Sequence, residues 1–176
     1  MHKIYKYSGL FLAVISFSAC AKQVKYDLKT ELNNYAKPHG LMIRQLEQVD
    51  PQAPLPAIAM QTIKNPEESD ITLLMYAVNA SNESLCLTSA SKAMIPAEEF
   101  KPLTINKQDF KKQVEEGVKW TSYTYYTYKD GACFFLEGNA YIQTTLSSYP
   151  ANKNVTEDQF YTSLLNVYAK AVSAKN

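Results

Sequence analysis

The chain of 176 residues is short of the side chains that most often carry chemistry. It has two histidines, His2 and His39, one arginine, Arg44, and one tryptophan, Trp120. A formal net charge of +1 excludes a nucleic-acid partner held by bulk charge. Five glycines among eight prolines exclude a collagen-like or glycine-rich disordered chain. No apolar run approaches the roughly twenty residues that a membrane-spanning helix needs. There is no phosphate loop and no dinucleotide fingerprint. His39 lies between Pro38 and Gly40, and no Gly-x-Ser-x-Gly elbow accompanies it. One histidine and two distant cysteines do not make a zinc site. The acid pairs Glu67-Glu68-Asp70, Glu98-Glu99 and Glu115-Glu116 read as solvated surface rather than as carboxylates facing across a cleft. These shortages lead us to expect a protein that is not an enzyme, with no catalytic residue, cofactor or metal.

What is present begins at the N-terminus. His2, Lys3 and Lys6 precede an apolar run from Gly9 to Phe17, followed by Ser18-Ala19-Cys20. A basic start, a short apolar stretch and small residues at the cut describe a secretory signal over residues 1–19. Two cuts are open. Ala19-Cys20-Ala21 suits the ordinary signal peptidase. Phe17-Ser18-Ala19-Cys20 resembles the lipobox of bacterial lipoproteins, with Phe17 where Leu is usual. That resemblance implies lipidation of Cys20 by acyl chains such as palmitate and anchoring in a bacterial cell envelope. Ala21 after the cysteine implies, by the sorting rule of enteric-type bacteria, the outer membrane facing the periplasm. Several acyl chains at about 0.8 kcal/mol per buried CH₂ would make the anchor effectively permanent. Three Asn-x-Ser/Thr sites, at Asn79, Asn82 and Asn154, keep a glycosylated eukaryotic secreted protein as an alternative. Loss of Lys3 and Lys6 leaves sixteen basic against seventeen acidic residues, so the exported chain is nearly neutral.

Three cysteines are an odd number for an exported protein. With Cys20 acylated, Cys86 and Cys133 remain, and an oxidising compartment favours a disulfide between them. Two buried thiols are the other reading.

The expected fold is α+β: an antiparallel sheet or small β-sandwich, with a short middle helix and a C-terminal helix packed on it. Residues 20–38 read as a lipid-anchored tether or short helix, with Val24, Leu28, Leu32 and Tyr35 at helical spacing and Pro38 ending it. Residues 39–176 read as one globular domain. Strands are expected at Leu41–Gln48, Ala57–Ile63, Ile71–Asn79, Ser84–Thr88, Lys119–Tyr128, Ala132–Glu137 and Ala140–Leu146. Asp130-Gly131 and Gly138-Asn139 mark tight turns that fold residues 119–146 into a three-stranded meander. Asn106 suits a helix cap, with Ile105 and Phe110 as a staple and Gly117 as the stop, over 107–116. Thr156 and Gln159 form a capping box for the last helix, with Val155 and Phe160 as its staple.

Thirteen tyrosines need an explanation. They concentrate in Trp120-Thr121-Ser122-Tyr123-Thr124-Tyr125-Tyr126-Thr127-Tyr128. As a strand this puts Trp120, Ser122, Thr124, Tyr126 and Tyr128 on one face and Tyr123 and Tyr125 on the other. Tyrosine is favoured at interfaces, so Trp120, Tyr123, Tyr125, Tyr126 and Tyr128 are candidate binding residues. Simple β propensity is the competing explanation.

A short lipoprotein with a Cys-bearing segment, Glu83-Ser84-Leu85-Cys86-Leu87, and a later Trp/Tyr-rich strand resembles in layout the immunity lipoproteins found beside type VI secretion effectors. That resemblance implies a periplasmic protein that blocks a toxin by binding it. The expected partners are therefore the membrane, through the N-terminal lipid, and a protein, either a toxin or an envelope component. A structural or assembly-factor lipoprotein is the alternative, and a small envelope hydrolase a third reading.

Overall fold

Two hairpin turns organise the second half of the chain. Asn106 and Lys107 have φ of 50° and 63°, and Asp130 and Gly131 have φ of 50° and 81°. Positive φ at both central residues is the turn geometry whose twist matches paired strands. The first turn joins β4 (Lys101–Ile105) to β5 (Gln108–Glu116), and the second joins β6 (Thr121–Lys129) to β7 (Ala132–Asn139). The first half supplies β1 (Leu41–Gln45), β2 (Ile58–Thr62) and β3 (Leu73–Asn79). All seven strands form one sheet, in the order β1-β2-β3-β7-β6-β5-β4, and every neighbouring pair is antiparallel. The structure is a computed structural model and describes residues 27–47, 50–62, 73–92, 94–117, 121–139 and 154–173.

The strand order forces one long connection. After β3 the chain crosses to the far edge, starts β4 there, and meanders back until β7 pairs with β3. The crossover runs through a 3-10 turn at Glu83–Leu85, the short helix α2 (Cys86–Ser89) and a 3-10 turn at Ala97–Glu99. It lies over one face of the sheet. The other face carries α1 (Leu28–Ala36) and α3 (Glu157–Ser173).

The helix-covered face holds the larger core. Phe134 and Leu136 of β7, Tyr125 of β6, Phe110 of β5 and Met75 of β3 meet Tyr161, Leu164, Leu165 and Tyr168 of α3. Leu28, Leu32 and Ala36 bring α1 into the same core. Tyr35 donates to the Phe160 carbonyl at 3.1 Å and lies 2.7 Å from Ser163 Oγ, and burial pushes its hydroxyl pKa up to about 12. The Asp27 carboxylate caps α1, accepting from the backbone of Lys29 and Thr30. The Thr30 hydroxyl, with those amides, holds Asp27 below the usual carboxylate range. Gly138 lets α3 close on β7: a Cβ there would overlap the Tyr161 hydroxyl and stand 2.8 Å from Leu73 Cδ2.

The α+β class and the packed C-terminal helix are as expected, in a single sheet rather than a sandwich. The capping box forms: Thr156 N donates to Gln159 Oε1 at 2.9 Å, and Gln159 N donates to Thr156 Oγ1 at 3.3 Å. The expected helix over 107–116 is β5 instead. Asn106 starts a two-residue turn rather than a helix. Ile105 and Phe110 reach the same core from the two arms of that hairpin, not as a staple. Residues 84–88 are not a strand, because Cys86 and Leu87 must turn inward beneath the crossover. Gly138-Asn139 is not a turn: both residues pair with β6, opposite Tyr123 and Ser122. Cys20, Val24, Glu67-Glu68-Asp70, Trp120 and the expected strand Ala140–Leu146 lie outside the described residues.

Lys107 is an exposed L-residue held in the left-handed region. That conformation costs roughly 1–2 kcal/mol, and glycine avoids the cost. Lys107→Gly should therefore stabilise the protein by about 1 kcal/mol, read as a higher urea midpoint at unchanged slope. A lower midpoint would contradict the turn.

Candidate functional site

The described residues cover about half of the second face. Strand alternation places Val78, Cys133, Phe135, Tyr126 and Tyr128 there, beneath the first part of the crossover. Cys86 of α2 is bonded to Cys133 of β7, with a Cα separation of 5.5 Å and both residues fully buried. Around this bond lie Leu87, Phe100, and the stacked rings of Tyr76 and Phe135, 5.1 Å apart. Phe100 meets Tyr126 edge-on at 5.0 Å. The Tyr128 hydroxyl donates to the Ser81 carbonyl at 3.1 Å. Lys111 of β5 pairs with Glu83 at 3.0 Å in an exposed contact, and this hydrogen bond raises the Lys111 pKa. By the loop-entropy model, a bond closing 47 residues contributes roughly 4 kcal/mol.

Beyond the disulfide the same face opens into a trough of about 360 Å³. Its floor is a register row across three strands, Gln113, Thr124 and Glu137, with Glu115 and Ser122 in the next row. Leu74 of β3 and Ile95 of the crossover supply apolar walls. Lys92 reaches in from the crossover and pairs with Glu137 Oε2 at 3.1 Å, both side chains about four-fifths buried. The Tyr76 hydroxyl donates to Glu137 Oε1 at 2.5 Å. Burial first, and the Glu137 charge second, drive the Tyr76 pKa far above its ordinary value, so it remains a donor. Gln113 Nε2 makes a long 3.5 Å contact to Glu99.

The tyrosines of β6 do not form an open surface. Tyr123 and Tyr125 face α3, with ring centroids 4.7 and 5.4 Å from Tyr161. Tyr126 is buried under Phe100, and Tyr128 is half-buried beside it. Neither pair of the candidate binding residues stands exposed, because Tyr123 and Tyr125 pack against α3 and Tyr126 and Tyr128 pack beneath the crossover. Ser122, Tyr123 and Thr124 are the residues of this strand that line the trough.

His39 sits on the helix side, its ring 4.7 Å from Tyr35 and 5.6 Å from Phe160, across the sheet from the trough. Among the described residues, no group of three or more His, Cys, Asp or Glu is placed to hold a metal ion. Lys92, Tyr76 and Glu137 escaped the sequence reading because only the strand register and the crossover bring them together. Glu115 was visible there only as surface. The pattern Ser-x-Thr-x-Tyr-x-Tyr on one face of β6 was the available signal: small polar residues at one end, aromatics at the other.

No family model matches the chain, and no curated protein matches it in sequence. A solved crystal structure from Bacteroides thetaiotaomicron resembles 55% of this chain at 16% identity, with a TM-score of 0.32. The match covers 34% of that other chain, so the present chain spans about a third of its length. A likeness of that size fixes neither fold nor activity.

Tyr76 donates to a charged acceptor in a half-buried site, a bond that typically contributes about 1.5–3 kcal/mol. Tyr76→Phe should lower stability by about 1–2 kcal/mol in urea unfolding. An unchanged midpoint would show that Glu137 is held by Lys92 alone.

Proposed function

We propose that this protein is a lipid-anchored envelope lipoprotein that works by binding a protein partner at the trough, without catalysis. Its task on this reading is to neutralise a toxin, as the immunity lipoproteins it resembles do. The observation that carries the reading is the half-covered second face. A covalent bond seats the crossover over the apolar part of the sheet and leaves a polar trough open beside it. Cys20 in its lipobox-like context supplies the anchor, and a buried disulfide suits the oxidising space to which such a leader directs a chain. Lys92 and Glu137, already paired, make a prearranged polar surface with little ordering entropy left to lose on binding.

The experiment has two arms in the producing bacterium. Cys20→Ala should move the protein out of the membrane fraction or leave the precursor uncut. A photo-crosslinking residue at Met94, almost fully exposed beside Ile95 on the trough rim, should join one discrete protein. Crosslinking from Met42, on the edge strand β1 and outside the trough lining, should not. Charge reversal at Glu115 should abolish the Met94 adduct. Unchanged membrane fractionation of Cys20→Ala would overturn the anchor. Equal adducts from Met94 and Met42, or none from Met94, would overturn partner binding at the trough.

A further inference from the structure

The trough holds a surplus of hydrogen-bond acceptors. Thr124 is 6% exposed and lines the trough, yet its hydroxyl has no hydrogen-bond partner among the described residues. That hydroxyl lines the trough, where it can accept a hydrogen bond from a ligand. Ser122, two residues along the same face, has no partner among the described residues either. Gln113 points its amide nitrogen toward the Glu99 carboxylate, which can only accept, so its carbonyl oxygen remains available as an acceptor. Glu115 lies opposite Ser122 on β5 and forms no ion pair among the described residues. Among the described residues, the single cation lining the trough is Lys92, which is already paired with Glu137. The lining therefore carries two carboxylates against one ammonium, with hydroxyl and amide oxygens between them.

We propose that the trough receives an arginine side chain of the protein partner, its guanidinium bonded by Thr124, Gln113 and Glu115. This rests on the partner-binding reading above. A guanidinium has five donors in a planar fork and no acceptor, the complement of this lining. Gln113 and Thr124 are direct cross-strand neighbours, with Glu115 in the next row, and the five donors of a planar guanidinium can bond all three at once where an ammonium has three. Its methylene stem packs on Leu74 and Ile95 while the charged head lies on the polar floor.

The test is an NMR titration of the full protein purified from the envelope in detergent, with N-acetyl-arginine methylamide as the probe. The citrulline analogue is the neutral isostere, and the lysine analogue carries charge without the fork. The arginine probe should shift the Thr124 and Gln113 backbone amides saturably in the millimolar range. It should bind about fivefold or more tightly than either analogue. Thr124→Val, of the same shape, and Glu115→Gln should each weaken it about threefold or more. Equal binding of arginine and citrulline probes, tighter binding of the lysine probe, or no saturable shift would overturn the inference. If the Met94 adduct forms while the arginine probe fails, partner binding stands and this inference falls. If the probe binds and no adduct forms, the arginine site stands and partner binding at the trough falls.

Discussion

The bond between Cys86 and Cys133 decides what the second face of the sheet becomes. A chain that leaves β3 in mid-sheet and restarts at the far edge must pass over three strands, and it does so on the face the helices leave bare. The cysteine in α2 ties that passage to β7, the strand next to its point of departure. Leu87 and Phe100 then find Phe135 and Tyr126 beneath them, and a small second core closes around the sulfurs. Lys92 is delivered to Glu137 by the same constraint. Beyond it the crossover returns to the sheet through Ile95, Glu99 and Phe100, and Gln113 and Thr124 floor the trough that lies between.

The abundance of tyrosine follows from a sheet covered on both sides by unequal layers. Each ring buries a large apolar area and keeps a hydroxyl that needs a partner. Tyr168 reaches across the core to the Tyr76 carbonyl, and Tyr76 in turn donates to Glu137 on the other face. Burial raises the pKa of both hydroxyls, so they stay neutral donors. Tyr125 and Tyr126 pack on opposite sides of β6, while Ser122, Tyr123 and Thr124 line the trough.

The parts legible in the sequence are those set by neighbours in the chain. The Thr156–Gln159 capping box, the Asp130-Gly131 hairpin and the stripe of α3 depend on spacings of a few residues and appear as read. The parts misread depend on competition between local signals and distant partners. Residues 108–116 are rich in helix-forming Lys, Gln and Glu, yet β6 offers them a full ladder, and Asn106-Lys107 accepts the positive φ that a tight hairpin needs. Gly138 resembles turn chemistry, but its missing side chain makes room for Tyr161. Of the trough, the sequence carries only the small polar end of the β6 pattern. The trough residues come from β3, the crossover, β5, β6 and β7, and only strand register aligns them.

The account stands on the claim that the disulfide, more than the surrounding contacts, holds the crossover against the sheet. Hydrogen exchange of the full protein, compared with its Cys86→Ala/Cys133→Ala variant, tests this directly. The account predicts that amides at 83–92 exchange about a hundredfold or more faster in the variant, while β6, β7 and α3 keep their protection, since a local tie has been cut and the helix-side core is intact. Protection at 83–92 unchanged by loss of the bond would contradict it, as would a uniform loss of protection across the whole sheet.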